Sequence, residues 1–532
     1  MKKVVLVFPR TGLDLGSVQL PLSLLSIAST VIPEYSVKII DQRTNPAWEE
    51  ELLEELRQHP ICVGVTTLTG TQIYYALKVS HFIRTHAPEV PIVWGGMHVT
   101  TTDDQVIRHP LVDYAIKGEG EVSFPMLVRA LDGKIAIEEV PSLYWKTPEG
   151  EVEFNGSGPE ADLNLLPAIP YHLVDVAHYV TPTVSLYEGS RRTLPFEGSR
   201  GCPFLCTYCS EPALTKSYRT MKPELFVERC MDMVTRYNID HIVFVDDEFF
   251  VNKTWATGVA KLINGRFTWW CQTRANDLLK VDLKLMEQCG MKIIAPGLES
   301  GSDRILTSVK KSEKVWHYIE ANRRLAETTI IPQYNFMMGF PEEEYEDLHK
   351  TIDLIMQLMK ENPRAVVNQI SVLTPLPGTE SYSEAVTKYG FHAPSSLEEW
   401  IGVNRHAIVT PWVKARPGMP ETLQNLMYTS YFVNTTKRIA KQFWWIPHFV
   451  FDWYSKIILW RWRHRKFMVT WDIKIIRFIH NYFINPAQRE SYRNLHDLPT
   501  TKVAPINHLN SQRPRRVRMV SDIPNNLILP HR

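Results

Sequence analysis

Short apolar runs rich in β-branched residues alternate with helix-period segments over residues 1–132. Val4–Phe8, Val37–Ile40, Ile61–Thr66, Ile92–Trp94 and Tyr114–Ile116 predict strands, and segment 71–86 places Ile73, Ala76, Leu77 and Ile83 on one helical face. Such alternation predicts an α/β domain with a doubly wound parallel sheet and helices on both faces. Ligands of these sheets bind beyond the C-terminal strand ends, where the strand order reverses. The loops expected there are Thr66-Thr67-Leu68-Thr69-Gly70, Gly95-Gly96-Met97-His98 and Lys117-Gly118-Glu119-Gly120-Glu121. Backbone without a Cβ lets a large ligand approach closely. Thr69, Gly70, Gly95, Gly96, Gly118, Glu119 and Gly120 are therefore candidate binding residues. No G-x-G-x-x-G opens the first helix, which argues against a dinucleotide.

Residues 133–190 break the pattern. Pro141–Trp145 and Val152–Phe154 flank Pro148-Glu149-Gly150 and predict a hairpin, and a connector punctuated by Pro159, Pro167, Pro170 and Pro182 follows. A domain boundary is expected here. Over 191–405 the alternation returns with six strand candidates: Thr193–Glu197, His241–Val245, Phe267–Gln272, Ile293–Pro296, Gln333–Met337 and Val367–Leu373. Each runs into chemically unusual sequence, including Asp246-Asp247-Glu248, Thr273-Arg274-Ala275, G-L-E-S-G-S from 297, M-G-F-P from 338 and P-L-P-G-T from 375. In β/α barrels the active site lies at that end of the strands. Residues 406–500 are helical in pattern, with dense aromatics and interleaved Lys and Arg; residues 501–532 read as a flexible tail.

The first barrel strand leads into C-P-F-L-C-T-Y-C, which places Cys202, Cys206 and Cys209 at C-x₃-C-x₂-C spacing. No fourth Cys or His stands close enough to complete a local zinc site. Three thiolates suit a [4Fe–4S] cluster that keeps one iron open to another ligand. Cys62, Cys230, Cys271 and Cys289 fall inside apolar runs and are expected to be buried and inert.

Composition narrows the function classes. The 532 residues exceed one ordinary domain, and 44% are hydrophobic against 22% charged. Lys plus Arg number 59 and Asp plus Glu 58, a balance that argues against a nucleic-acid partner. Seven irregularly spaced cysteines imply a reducing compartment. The opening M-K-K-V-V-L-V-F-P-R is too short in its apolar run for a signal peptide and reads as a first strand. Cytoplasmic location is expected, with peripheral membrane contact as a variant.

The C-x₃-C-x₂-C loop, with aromatic Tyr208 before its last cysteine, resembles the signature of the radical S-adenosylmethionine (SAM) enzymes. The L-T-G-T, G-G-M-H and K-G-E-G-E segments resemble the cobalamin-binding domain that precedes the radical module in many of them. G-L-E-S-G-S, M-G-F-P-E-E and P-L-P-G-T resemble the cobalamin-dependent branch. The resemblance covers roughly residues 1 to 400. It implies a cobalamin-type domain, a partial (β/α)₆ barrel and an α-helical C-terminal region, with a [4Fe–4S] cluster, SAM and cobalamin as cofactors. Cys202, Cys206 and Cys209 would bind the cluster. Arg274 and Glu299 would contact the carboxylate or ribose of SAM. One of Asp246 and Asp247 would bind the SAM amino group or orient the cluster loop. The D-x-H-x-x-G motif that ligates cobalt elsewhere is absent from the Pro9–Pro21 loop. His98 is the available substitute, though a lone histidine after a strand more often serves as a loop hydrogen-bonder.

The implied activity is C-methylation of an unactivated carbon on a large apolar small molecule. In the family, a 5′-deoxyadenosyl radical removes hydrogen and methylcobalamin supplies the methyl group. The alternative within the family is oxidative cyclisation of a porphyrin ester. From another class comes a non-catalytic cobalamin or redox sensor. A flavodoxin- or ferredoxin-type electron donor is implied. The aromatic segment 420–480 is expected foremost as a helical lid over the barrel, and secondarily as a membrane-surface element with a basic face.

Overall fold

The computed structural model describes residues 1–12, 18–180, 192–368, 370–403, 410–430, 432–433, 447–469 and 471–479. The first sheet contains β1 (Lys3–Phe8), β2 (Ser36–Asp41), β3 (Val63–Thr66), β4 (Ile92–Gly95), β5 (Tyr114–Ile116), β6 (Leu143–Lys146) and β7 (Val152–Phe154). Its order is β2-β1-β3-β4-β5-β6-β7. β1 to β5 are parallel and covered by helices on both faces. That is why β1 reads as an unbroken V-V-L-V run, all four side chains buried. The order reverses between β1 and β3, the kind of switch point beside which such sheets bind ligands.

The predicted hairpin forms, yet it is not part of the linker. β6 and β7 extend the first sheet antiparallel to β5, with Ile116 opposite Leu143 and Ala115 opposite Tyr144. Burial of Leu143 and Tyr144 against the sheet edge drives this. A strand pair with so short a partner strand carries little sequence signal of where it will dock.

The second sheet is wholly parallel. It runs β8 (Thr193–Phe196), β11 (His241–Phe244), β12 (Thr268–Thr273), β13 (Met291–Glu299) and β14 (Ile331–Met338) in spatial succession. The sixth predicted strand divides into β15 (Val366–Val367) and β16 (Ser371–Val372), both paired to β14. Strands added one after another on the same side curl into a half-barrel. Between β8 and β11, β9 (Ser199–Arg200) and β10 (Arg219–Thr220) form a two-residue antiparallel ribbon that brackets the cysteine loop.

Two returns tie the domains together. Leu397–Ile401, beyond the barrel, packs on the first-domain helix Thr71–His86, and Trp400 Nε1 donates to Gln105 Oε1 at 2.6 Å. The helix Met419–Ser430 lies against β16, and Trp412 Nε1 donates to the Gly339 carbonyl at 2.8 Å. His448–Arg463 stacks outside it, with Trp462 Nε1 donating to Thr429 Oγ1 at 3.0 Å. The helices predicted for 420–480 thus form over the described part of that region. Residues 434–446, 480–500 and the tail 501–532 lie outside the described residues.

Gly301 shows how tightly the half-barrel seats its outer helices. A Cβ there would fall 2.5 Å from the Lys350 carbonyl oxygen and 2.6 Å from Thr351 Cα, both backbone atoms of the helix Tyr345–Glu361. Gly301→Ala is expected to cost about 1–3 kcal/mol. A lowered Tm in a thermal melt checks this, with Gly258→Ala in the helix Lys253–Ile263, where a Cβ meets only ordinary contacts, as the comparison.

Candidate functional site

The cysteine loop leaves β8 through Gly198 and Gly201. Gly201 has φ +88°, and a Cβ on it would lie 2.4 Å from the Ser217 carbonyl oxygen, so only glycine fits. The loop's early N–H groups find their partners on the acidic end of β11. Asp246 Oδ1 accepts from the amides of Gly198 (3.0 Å) and Ser199 (2.5 Å) and from Ser199 Oγ (2.6 Å). Asp247 Oδ2 accepts from the Gly201 amide at 3.0 Å. The neighbouring carboxylates serve successive amides of one loop. Burial nevertheless pushes both up to about 7.

Cys202, Cys206 and Cys209 line one cavity of about 470 Å³ at the C-terminal ends of the half-barrel strands. Burial pushes the Cys202 thiol up to about 12 and the Cys209 thiol to about 11. Thiols in such a place ionise when a metal replaces the proton. Among the described residues no three His, Cys, Asp or Glu side chains converge to hold a single metal ion. Three cysteines spread around a cavity fit a multi-iron cluster better than a lone ion.

Arg274, at the end of β12, stacks on Phe204 with its guanidinium carbon 3.7 Å from the ring centroid. Its Nη1 is 3.9 Å from Cys206 Sγ, and it also donates to the Lys311 carbonyl. It therefore places positive charge beside the cysteine loop, where an anionic cluster would sit. Glu299 closes β13 in a left-handed conformation, φ +65°, and takes Lys311 Nζ at 3.2 Å. A non-glycine residue held at positive φ on a strand end stores strain of the kind found at functional sites. Arg274, Lys311, Glu299, Asp247 and Glu248 all line the cavity. Burial pushes Glu248 up to about 8, while Thr273 Oγ1 donates to it at 2.8 Å.

A second cavity, of about 340 Å³, opens at the ends of β3, β4 and β5 and runs beside the sheet between Leu24, Ile27 and Phe124. Gly95, Gly96, Gly118, Glu119 and Gly120, all candidate binding residues from the sequence, line it. At Gly95 and Gly118 nothing lies within 4 Å of where a Cβ would stand, so these glycines hold the space open. Thr69 and Gly70 are not among the lining residues. Thr69 Oγ1 bonds His98 Nδ1 at 3.0 Å, and Gly70 faces the Val403 carbonyl, which a Cβ would approach to 2.8 Å. His98 is fully buried, edge-on to Trp400, and burial pulls its pKa down to about 3. It acts as a loop hydrogen-bonder and does not line the cavity.

The two cavities share Met97, Glu211, Leu214 and Asp247. Sequence reasoning passed over Met97, Glu211 and Lys311; Glu248 stood in view in the D-D-E run. It also missed Arg200, which pairs with Glu121 at 2.8 Å and Glu197 at 2.6 Å and approaches Glu119 at 3.6 Å. Arg219 takes Glu119 at 2.5 Å. These ions join the K-G-E-G-E loop of the first domain to the ribbon that brackets the cysteines. A lone arginine beside a cysteine motif carries no sign of so distant a partner. None of the described C-terminal residues lines the cysteine cavity, against the expected lid. Their buried side chains are already occupied in packing on one another, with Trp462 on Thr429 and Arg461 on Asp472, and on β16.

Comparison with known proteins decides what these cavities belong to. Residues 196–355 match the model of the radical SAM superfamily, and residues 12–128 match the B12 binding domain. The chain carries a radical SAM domain and a B12-binding domain. It is 27% identical over 440 residues to an uncharacterized methyltransferase of Pyrococcus horikoshii, covering 81% of this chain and 91% of that one. It is 25% identical over 370 residues to the anaerobic magnesium-protoporphyrin IX monomethyl ester cyclase of Synechocystis, covering 68% and 72%. Its fold is shared with the cobalamin-dependent SAM radical enzyme OxsB, with a TM-score of 0.64 at 15% identity over 94% of this chain and 84% of that one. The radical SAM match thus falls on the half-barrel and the B12 match on the first sheet.

Two variants test the site. Cys206→Ala is expected to abolish stable iron incorporation after anaerobic reconstitution, read as iron bound per chain. Arg200→Ala leaves Glu121 and Glu197 without their cation, and is expected to destabilise the chain by about 3–5 kcal/mol. Thermal melting together with domain-boundary proteolysis measures it.

Proposed function

We propose that this cobalamin-dependent radical SAM enzyme is a C-methyltransferase acting on an unactivated carbon of a large, apolar small molecule. The observation that carries the reading is the meeting of the two cavities at Met97, Glu211, Leu214 and Asp247. Methyl transfer to a carbon radical needs both cofactors to face one substrate. Bound here, a [4Fe–4S] cluster with SAM and a cobalamin would supply radical generation and a methyl donor. Cys202, Cys206 and Cys209 would hold the cluster. Arg274 would balance its charge, and Glu299 with Lys311 would fix SAM at the β13 end. The glycine-rimmed cavity would take the corrinoid. The family's D-x-H-x-x-G is absent and His98 is locked between Thr69 and Trp400, so the cobalt would take no histidine from either place.

Phe204, Tyr208, Phe336, Met337, Val372 and Leu373 give the cysteine cavity apolar walls, in keeping with an apolar substrate. A flavodoxin- or ferredoxin-type donor would supply electrons. Cytoplasmic location is part of this reading, from the irregular spacing of the seven cysteines. The similarity to the porphyrin-ester cyclase favours a second reading, oxidative ring closure with the same cofactors.

The test begins with anaerobic reconstitution with iron, sulfide and hydroxocobalamin. About four iron and one cobalt per chain are expected. Reaction with methyl-deuterated SAM and a panel of terpenoid and tetrapyrrole substrates should place label in product. Product that has lost hydrogen without gaining label would establish cyclisation or oxidation instead. Iron without cobalt would remove the methyl-transfer reading.

A further inference from the structure

The helix His448–Arg463 carries aromatic side chains on its exposed stripe as well as on its buried one. Its inner stripe, Phe451, Ser455, Ile458 and Trp462, is buried. Ser455 Oγ donates to the Val433 carbonyl at 3.0 Å, and Trp462 reaches Thr429. Its outer stripe reads Phe449, Trp453, Lys456, Trp460 and Arg463 at three- and four-residue steps. A water-facing stripe is ordinarily polar. The helix Trp471–Ile479 is locked alongside, because Asp472 takes Arg461 at 2.5 Å and the Tyr454 hydroxyl at 2.7 Å. It adds Trp471, Lys474 and Ile475 to the outside, and Met468 in the connection joins the two. Phe449, Trp453, Trp460, Met468, Trp471 and Ile475 are each more than half exposed. Clustering on this scale marks an interaction surface rather than scattered apolar residues.

Charge decides the occupant. Lys456, Arg463, Lys466 and Lys474 are exposed around these aromatics. The nearby acids are engaged: Asp472 internally, Asp452 with His448 at 2.8 Å, and Asp353 with Arg465 at 2.6 Å. The face is therefore locally basic on a chain whose net charge is only +1. A second copy would set like charge against like. Exposed tryptophans, aliphatic side chains and a basic fringe match the interfacial zone of a bilayer carrying anionic headgroups. No helix among the described residues is long and apolar enough to cross a membrane, so contact would be in-plane. We propose that this two-helix face docks the enzyme on an anionic lipid surface. The proposal does not depend on the reaction carried out at the cavities.

The test is flotation of the full-length reconstituted protein with vesicles of phosphatidylcholine alone or mixed with phosphatidylglycerol. Binding to mixed vesicles is expected, about tenfold or more above phosphatidylcholine alone and weakening as salt rises. The double variant Trp453→Ser with Trp460→Ser lies away from both cavities. It should lose vesicle binding while keeping wild-type iron content and SAM cleavage. Lys456→Gln with Lys474→Gln should flatten the salt dependence. The proposal falls if the protein never floats, or if it floats equally with both double variants. It falls equally if the tryptophan variant instead dissolves a concentration-dependent dimer of a protein that ignores vesicles, or if a single-stranded oligonucleotide binds this face in preference to lipid.

Discussion

The site rests on a hydrogen-bonding constraint in the cysteine loop. A loop that leaves a parallel sheet loses its ladder partners, and buried amides without acceptors cost about 1–3 kcal/mol each. Asp246 and Asp247 at the end of β11 supply those acceptors to Gly198, Ser199 and Gly201. The carboxyls stand in a strongly desolvating place, which raises their pKa values, yet the amide donors aimed at Asp246 offset part of that penalty. The loop's path is thus set by the neighbouring strand before any cofactor arrives. The ribbon β9–β10 and the stack of Arg274 on Phe204 then complete its enclosure.

From that loop the architecture extends outward. Arg200 and Arg219, on the two strands of the ribbon, reach back to Glu119 and Glu121 on the first domain. One set of ions therefore registers the B12-binding domain against the half-barrel, and the two cavities come to share walls. Burial alone would raise the Glu119 pKa; the Arg219 and Arg200 guanidiniums outweigh it and hold the carboxyl below its usual range. A group depressed in the folded state contributes stability above its unfolded pKa and loses it as pH falls. The contact between domains is accordingly an acid-sensitive one.

Much of this was legible in the residues because strand ends in β/α folds announce themselves. The five first-domain strands and the helix at 71–86 followed from period alone, and the cysteine spacing pointed to its cluster chemistry. The sixth barrel strand was read as one run, since Val367–Leu373 is continuously compatible with β structure; its pairing with β14 is broken in two. Docking was the illegible part. β6–β7 could have lain anywhere, Gly70 looked like a ligand contact and instead meets Val403, and the aromatic helices were expected over the barrel mouth. For Gly70 the decisive partner lies far along the chain, where neither periodicity nor spacing reaches. Lys311, a fully buried lysine, shows the same limit: nothing in K-K-S-E distinguishes it from its exposed neighbour Lys310.

Trp400 bears on how the molecule is assembled in time. It covers His98 edge-on and bonds Gln105, a partner 295 residues earlier in the chain. During synthesis the first domain would emerge, and its sheet would form, well before that tryptophan left the ribosome. Until then the G-G-M-H corner and one flank of the helix Thr71–His86 stand uncovered. That corner of the newborn domain is consequently less well packed than in the finished protein until the half-barrel has followed it out.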